Sequence, residues 1–380
     1  MSLANLKFLF DKLSQGCYYA DNVTDNVTDN VIGVGFKPDW LTSMARKKST
    51  VTIHDVAAAA GVSVSTVSRV LNNKEDVAAE TYDEVQRVIA ELGYASSLAA
   101  RSMRSRTTNA IGLIVAKLND PFNIEVMKGV DRAIIDFGYD LLIYTSGHHA
   151  TGSGTAWERD YVARLNGSLT DGIIIVTPTT ANLPLAFPLV TVDPPVEDSS
   201  LPSVITTNRE GALSVMEYLI NLGHRRIGFI GGRSDLQSAI RRRQGYEDGL
   251  QRAGLPVIPE LIQSGDYTRK TGYECAKQFL NLPDPPTAIF AANDESAFGA
   301  VEAASEAGRR IPEDLSIVGF DNIPQTAHTT PPLTTVAQFI DQMGYVATKM
   351  LIDLIQNKTT QHRLHKIPTQ LIVRDSCLAV

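Results

Sequence analysis

Cysteine is scarce in this sequence: Cys17, Cys275 and Cys377 are the three among 380 residues. They are odd in number, far apart and without metal-ligand spacing. That excludes a disulfide framework and a cysteine-built metal site, and it points to a reducing, cytoplasmic setting. No apolar run is long enough to cross a bilayer, and the short Lys7-Phe8-Leu9-Phe10 stretch is no signal-peptide centre. No Ser/His/Asp or paired-carboxylate arrangement is found. Gly231-Gly232-Arg233 follows a strand pattern but lacks the spacing of a nucleotide-binding loop. His148 and His149 are adjacent, and neighbours on an extended loop point apart. No catalytic residue, metal or cofactor is therefore expected. A net positive charge is also missing: the formal net charge is −7, so the chain as a whole is no general binder of polyanions.

What is present begins with residues 50–73, TVTIHDVAAAAGVSVSTVSRVLNN. Thr52 suits an N-cap, and Asp55 three residues on places a carboxylate at the positive helix end. Val56, Ala57 and Ala60 then share a face at helical spacing. Gly61 supplies the left-handed backbone of a sharp turn. Ser63 can cap a second helix with Val67, Val70 and Leu71 inward, while Ser65, Ser68, Arg69 and Asn72 face outward. This is a helix-turn-helix whose second helix has the chemistry to enter a major groove. A third helix is expected over residues 80–92, with Val85, Ile89 and Leu92 on one face and Gly93 as its stop. Between Met44 and Ala110 there are nine Lys or Arg against seven Asp or Glu, a modest excess that suits phosphate contacts from a small module.

Residues 1–43, with the literal repeat DNVTDNVTDN, read as a disordered leader or as sequence upstream of a natural start at Met44. Residues 44–94 form the headpiece. Residues 95–109, ASSLAARSMRSRTTN, carry three arginines and no acid. A helix this short is marginal alone, so folding on DNA, with a symmetry mate, is expected. The alternative is a solvated basic tether. From residue 110 apolar strands alternate with amphipathic helices, and the pattern starts again near residue 208. That implies parallel sheets covered on both faces and a cleft at their carboxyl ends. Strands are expected at 111–115, LLIY, 172–178, 189–193, IGFIGG, LIQSGDY, TAIFAAN, LSIVGFDN, TTVAQF and near LIVRD.

Helix-turn-helix, Val77, Glu84, Val85, the run Ala90-Glu91-Leu92-Gly93-Tyr94 and Arg101 together resemble the lactose/galactose repressor (LacI/GalR) family, and the resemblance runs from about residue 49 to the end. It implies an α/β chain: an all-α helix-turn-helix headpiece and two doubly wound subdomains of periplasmic-binding-protein type, residues 110–207 with 337–366 and 208–336 with 367–380. It implies base reading by Val64, Ser65 and Arg69 and phosphate contacts from Thr66 and Asn72, with Thr52, Leu98 and Arg101 also at the DNA. Met103 stands where the family's hinge helix has a leucine that wedges a central base step. Ala78 stands where many relatives have a capping serine. For the effector, the polar groups after strand ends and the resemblance together nominate Arg242, Asn293 and Asp321. Phe122 and Tyr267 are expected to line the pocket, with Thr177 a weaker candidate. A carboxylate, an amide and a guanidinium beside aromatic faces suit a polyhydroxylated ring. Asp321 and Asn293 have the alternative of capping or bracing loops, Phe122 that of a core plug, and Asp294 is expected to orient backbone. The implied protein is a cytoplasmic, homodimeric regulator of a near-palindromic double-stranded operator. A mono- or disaccharide would control it, with a purine-type corepressor or a transport binding protein of the same core as alternatives.

Overall fold

The computed structural model describes residues 51–71, 74, 76–94, 107–145, 156–165, 169–179, 183, 187–196, 201–358 and 363–380. The chain folds as two units, one up to residue 95 and one from residue 96. Asn72, Leu98, Arg101, Met103 and the histidine pair lie outside the described residues.

The first unit holds α1 (Ile53–Ala59), α2 (Val64–Leu71) and α3 (Ala79–Leu92). The Asp55 carboxylate accepts from the Thr52 amide (2.7 Å) and hydroxyl (2.8 Å), fixing the start of α1. Gly61, with φ of +64°, makes the turn that a side chain would strain. Ile53, Val56, Ala57, Val67, Val70, Val85 and Val88 form one small core. The third helix departs from the sequence expectation. Val88 is buried, while Leu92 in the last turn is 38% exposed. The face that meets the other two helices runs through Val85 and Val88 and has rotated past Leu92 by the end of the helix.

In the second unit, β1 (Ala110–Val115), α4 (Pro121–Phe137), β2 (Asp140–Thr145), α5 (Ala156–Leu165), β3 (Gly172–Val176), β4 (Leu189–Val192) and β5 (Ser203–Thr206) come first. There follow α6 (Asn208–Asn221), β6 (Ile227–Ile230), α7 (Gln237–Arg252), β7 (Ile262–Gln263), α8 (Arg269–Leu280), β8 (Ala288–Ala291), α9 (Asp294–Glu306) and β9 (Ser316–Val318). The chain closes with β10 (Thr335–Ala337), α10 (Ile340–Ile355), β11 (Leu364–Ile367) and β12 (Gln370–Ile372). The first lobe is a parallel sheet in the order β11-β5-β4-β3-β1-β2, and the second a parallel sheet in the order β7-β6-β8-β9. The β3 and β4 strands are buried along their whole length, as strands covered on both faces must be.

Several elements differ from the sequence reading. The strands β5 and β11 were not anticipated: Ser203–Thr206 is short, and Leu364–Ile367 is an edge strand with two exposed polar residues, so neither shows an apolar run. The third strand stops at Val176 rather than 178, because Thr177 turns to a φ of +49°. The LIQSGDY stretch pairs only through Ile262 and Gln263. The two late strands β10 and β12 pair antiparallel with each other, departing from the all-parallel expectation.

The chain crosses between the lobes three times among the described residues: at Thr207, at Gln338-Phe339 and at Pro368-Thr369. The first and third are tied together, since the Thr369 amide donates to the Thr207 hydroxyl (2.8 Å) and the Thr207 amide to the Ile367 carbonyl (3.0 Å).

Candidate functional site

In the first unit, α2 starts on Ser63, whose hydroxyl accepts from the Thr66 amide (3.1 Å). The Ser63 oxygen also lies 2.6 Å from the Ser65 hydroxyl and 2.8 Å from that of Thr66. Val67 and Val70 are buried, so Ser65 and Arg69 are left on the exposed side of the helix, with Val64 and Thr66 half-buried at its edge. Thr52 is exposed, but its hydroxyl is engaged by Asp55. The Arg69 guanidinium bonds Asp76 in the following loop at 2.7 Å, both side chains being 57% exposed. An exposed pair of this kind is worth about 0–1 kcal/mol, little enough for a nucleic-acid contact to displace it.

In the second unit, a cavity of about 200 Å³ opens at the carboxyl ends of the strands, between the lobes. All six residues nominated from sequence line it: Phe122 and Thr177 from the first lobe, Arg242, Tyr267, Asn293 and Asp321 from the second. Phe122 sits in the first turn of α4, where the Asp120 cap accepts from its amide (2.9 Å). Arg242, in the second turn of α7, is buried, with its guanidinium 3.9 Å from the centre of the Phe320 ring. Its Nε donates to Asn208 Oδ1 (2.9 Å), and its Nη1 donates to the Ala292 carbonyl and, at 3.4 Å, to Asp321 Oδ1. Asn293 caps α9 by accepting from the Ser296 amide (3.0 Å), and its amide nitrogen donates to the Tyr267 carbonyl (3.0 Å). The cap and the cavity position are thus one residue rather than alternatives.

Tyr267 has the most informative chemistry. Its ring lies over Gly232, where a Cβ would come 2.1 Å from a ring carbon. Gly232, the second of the glycine pair, is there to seat this ring. The Tyr267 hydroxyl is buried and has no hydrogen-bond partner among the described residues, and burial pushes its pKa up to about 12. A buried hydroxyl without a partner costs free energy that a ligand oxygen can relieve.

Burial also pushes the Asp321 carboxyl up to about 7, against the pull of Arg242. Asp294 is raised well above the usual carboxylate range, by burial and by Asp321. Asp294 does not line the cavity; it accepts from the Ile323 amide (2.9 Å) and the Thr335 hydroxyl (2.5 Å), bracing the backbone behind Asp321. Four lining residues carry positive φ without being glycine: Thr177, Asp193, Tyr267 and Asp321. Such backbone is costly and gathers where a site needs it.

The sequence reading missed Asp193, Trp157 and Glu158 in this wall. Asp193 follows β4 and accepts from the Ser238 hydroxyl at 3.1 Å. The strand-end rule that found Asn293 and Asp321 applies to it equally. Glu158 is buried and accepts from the Thr179 amide (2.7 Å) and hydroxyl (3.0 Å). Nothing local in the sequence marks Trp157 or Glu158, whose approach to the cavity depends on how α5 packs.

Comparison with known proteins agrees with both units. Residues 52–97 match the family described as bacterial regulatory proteins, lacI family, and residues 216–377 match the periplasmic binding protein-like domain. The HTH-type transcriptional repressor CytR of Escherichia coli K12 is 34% identical over 341 residues, 88% of this chain and 99% of that protein. The repressor PurR of Pasteurella multocida Pm70 is 34% identical over 332 residues, 86% of this chain and 98% of that one. Among solved structures, the Lac repressor dimer bound to operator and the anti-inducer ONPF superposes with a TM-score of 0.76 at 27% identity, covering 87% of this chain and all of that one. A complex of the transcriptional regulator CelR with cellobiose gives 0.62 at 30% identity, covering 86% of this chain and 99% of that one.

Proposed function

The chain belongs to the lacI family of bacterial regulatory proteins, and from that premise we propose that it is a homodimeric repressor released or recruited by an uncharged, polyhydroxylated effector, a mono- or disaccharide, held between Arg242 and Asp321. That it is a DNA-binding transcriptional regulator with an effector-binding core, and not an enzyme, follows from the family itself. The sugar and the roles of single residues are our reading.

The observation that carries it is the buried Tyr267 hydroxyl, without a hydrogen-bond partner among the described residues, in a cavity wall shared with Arg242, Asn293 and Asp321. Donors and acceptors converging in a small cavity with aromatic walls are what a ring of hydroxyls requires. Charge narrows the choice. The lining includes six carboxylates (Asp120, Glu158, Asp193, Asp266, Glu295 and Asp321) against Lys117, Arg233 and Arg242, and Arg233 is already paired with Asp235 at 2.6 Å. A phosphorylated sugar would enter a field of its own sign, so a neutral one is favoured. The CelR relative was solved with cellobiose, which supports a sugar for this chain.

On the DNA side, Val64, Ser65 and Arg69 read base edges, Val64 by apolar contact such as a thymine methyl. Thr52, Thr66, Asn72 and Arg101 hold the backbone, and Leu98 and Met103 belong to a linker that folds in the minor groove. A two-fold pair of headpieces reads a near-palindrome. The rings of Phe122 and Trp157 at the cavity also offer stacking faces for a flat heterocycle, which keeps a purine corepressor as the second reading.

The test is selection of bound sites from random duplex DNA with the full chain, followed by operator titrations with D-ribose, D-galactose, cellobiose, adenosine and guanine. A palindrome whose binding shifts with a sugar supports the proposal. A shift with adenosine or guanine alone selects the second reading, and no recovered site overturns the operator assignment.

A further inference from the structure

Five buried residues close a ring of hydrogen bonds, through their side chains and the Thr206 carbonyl, that leaves the cavity wall and returns to it. Arg242 Nε donates to Asn208 Oδ1 (2.9 Å), and Asn208 Nδ2 donates to the Thr206 carbonyl (3.3 Å). Thr206 Oγ1 donates to Gln338 Oε1 (2.7 Å), and Gln338 Nε2 donates to Asp321 Oδ1 (2.6 Å). Arg242 Nη1 closes the ring on the same Asp321 oxygen at 3.4 Å. All five residues are less than 9% exposed. Three of them, Thr206, Asn208 and Gln338, are not part of the cavity wall.

The ring has two unequal parts. The Gln338 amide holds Asp321 at a short distance, whereas the Arg242 contact is at the outer edge of a hydrogen bond. The loose link lies in the cavity wall, where an effector hydroxyl can accept from the guanidinium and donate to the carboxylate at once, drawing the two together. The tight links lie on the lobe crossings. Thr206 is the last residue of β5 in the first sheet, Asn208 the first of α6 in the second lobe, and Gln338 precedes Phe339, whose φ of +54° is held just before α10 returns to the first lobe. The Asp321 amide also donates to the Val336 carbonyl (2.9 Å), so its backbone and side chain both report to the same crossing.

We propose that Gln338 is a positioning residue that ties the Asp321 carboxylate to the lobe crossings, so that occupation of the cavity resets the hinge between the lobes. This rests on the effector reading above. A bound hydroxyl that tightens Arg242 against Asp321 pulls on Gln338, and through it on Thr206, and the two crossings move as one. A Gln338 that merely satisfied a buried amide would need no partner on each lobe.

The experiment uses the full chain and two variants. Gln338→Met removes both hydrogen bonds at similar volume; Thr206→Val removes only the bond remote from the cavity. Without any ligand, amide hydrogen exchange at residues 206–208, 338–340 and 367–370 should quicken at least tenfold in each variant, while β3 and β8 keep wild-type protection. The second readout is the ratio of operator affinities with and without the probe, which is cellobiose or whichever of the five compounds above shifts wild-type binding. Allosteric ratios are commonly about 5–150, and each variant should bring the ratio close to 1. Thr206→Val should do so with probe affinity changed less than threefold. Unchanged exchange at the crossings overturns the proposal, as does quickened exchange with the wild-type ratio intact. If none of the compounds binds wild type, the effector reading fails on its own, and the exchange comparison still decides whether the ring holds the hinge. Global loss of protection in Gln338→Met passes the decision to Thr206→Val.

Discussion

Asp321 stands between two demands: it is nearly buried, which favours the neutral acid, and it faces Arg242 and the Gln338 amide, which favour the anion. Burial prevails and lifts it to about 7. Sugar hydroxyls donate best to the ionised form. Below about pH 7 the free protein must therefore lose a proton to bind, and effector affinity should fall roughly tenfold per pH unit, levelling off above it. Calorimetry across pH 5.5–8.5 checks this, and a flat profile removes Asp321 from the contact. Asp321→Ala should abolish the effector response and leave operator binding intact in gel shifts. Arg69 is the corresponding residue in the headpiece. Its exposed pair with Asp76 costs little to break, whereas a base contact is worth about 1–3 kcal/mol. Arg69→Ala should weaken operator binding by that amount with effector binding unchanged; loss of both would mean unfolding.

Among the elements, α3 starts without a side-chain cap, on Ala78. Its first amides lack an acceptor that serine would supply, so Ala78→Ser should stabilise the headpiece by about 1 kcal/mol, read as a higher denaturation midpoint. The linker lies mostly outside the described residues, and its helix is part of the proposal. A helix confined to residues 95–109 is too short to be stable alone, and on the proposed reading Met103 would supply the base-step wedge. Met103→Leu should tighten operator binding and keep the bend seen with circularly permuted fragments; unchanged affinity and bending put residue 103 outside the groove. The strands divide by burial. Those covered on both faces, such as Gly172–Val176, are legible as apolar runs, while the edge strand Leu364–Ile367 is not, because half of it faces solvent.

For the whole molecule, linkage is the constraint that no local feature can evade. If an effector changes operator affinity by some factor, saturating operator must change effector affinity by the same factor. Titrating effector with and without a 20-base-pair operator duplex measures both. Unequal factors would show that the two ligands do not share one equilibrium. Operator binding should also weaken steeply with salt, since phosphate contacts release counterions, while binding of a neutral sugar should hardly respond to salt.

Local chemistry was enough to specify much of this protein. The capping box, Gly61 and the helical spacing of Val67 and Val70 fix the helix-turn-helix from neighbours within a few residues. Alternation of apolar strands with helices fixes the class of the core. Polar groups just past strand ends pointed to the cavity because parallel sheets bring those ends together. What only the tertiary structure decided depends on residues far apart in the chain. Trp157 and Glu158 reach the cavity by the packing of α5, and Gly232 is small because Tyr267 lies on it. The ring through Thr206, Gln338 and Asp321 exists because crossings 132 residues apart meet at the hinge. Such partners are selected by burial, where an unpaired amide or carboxylate is costly, and no spacing within the sequence records them.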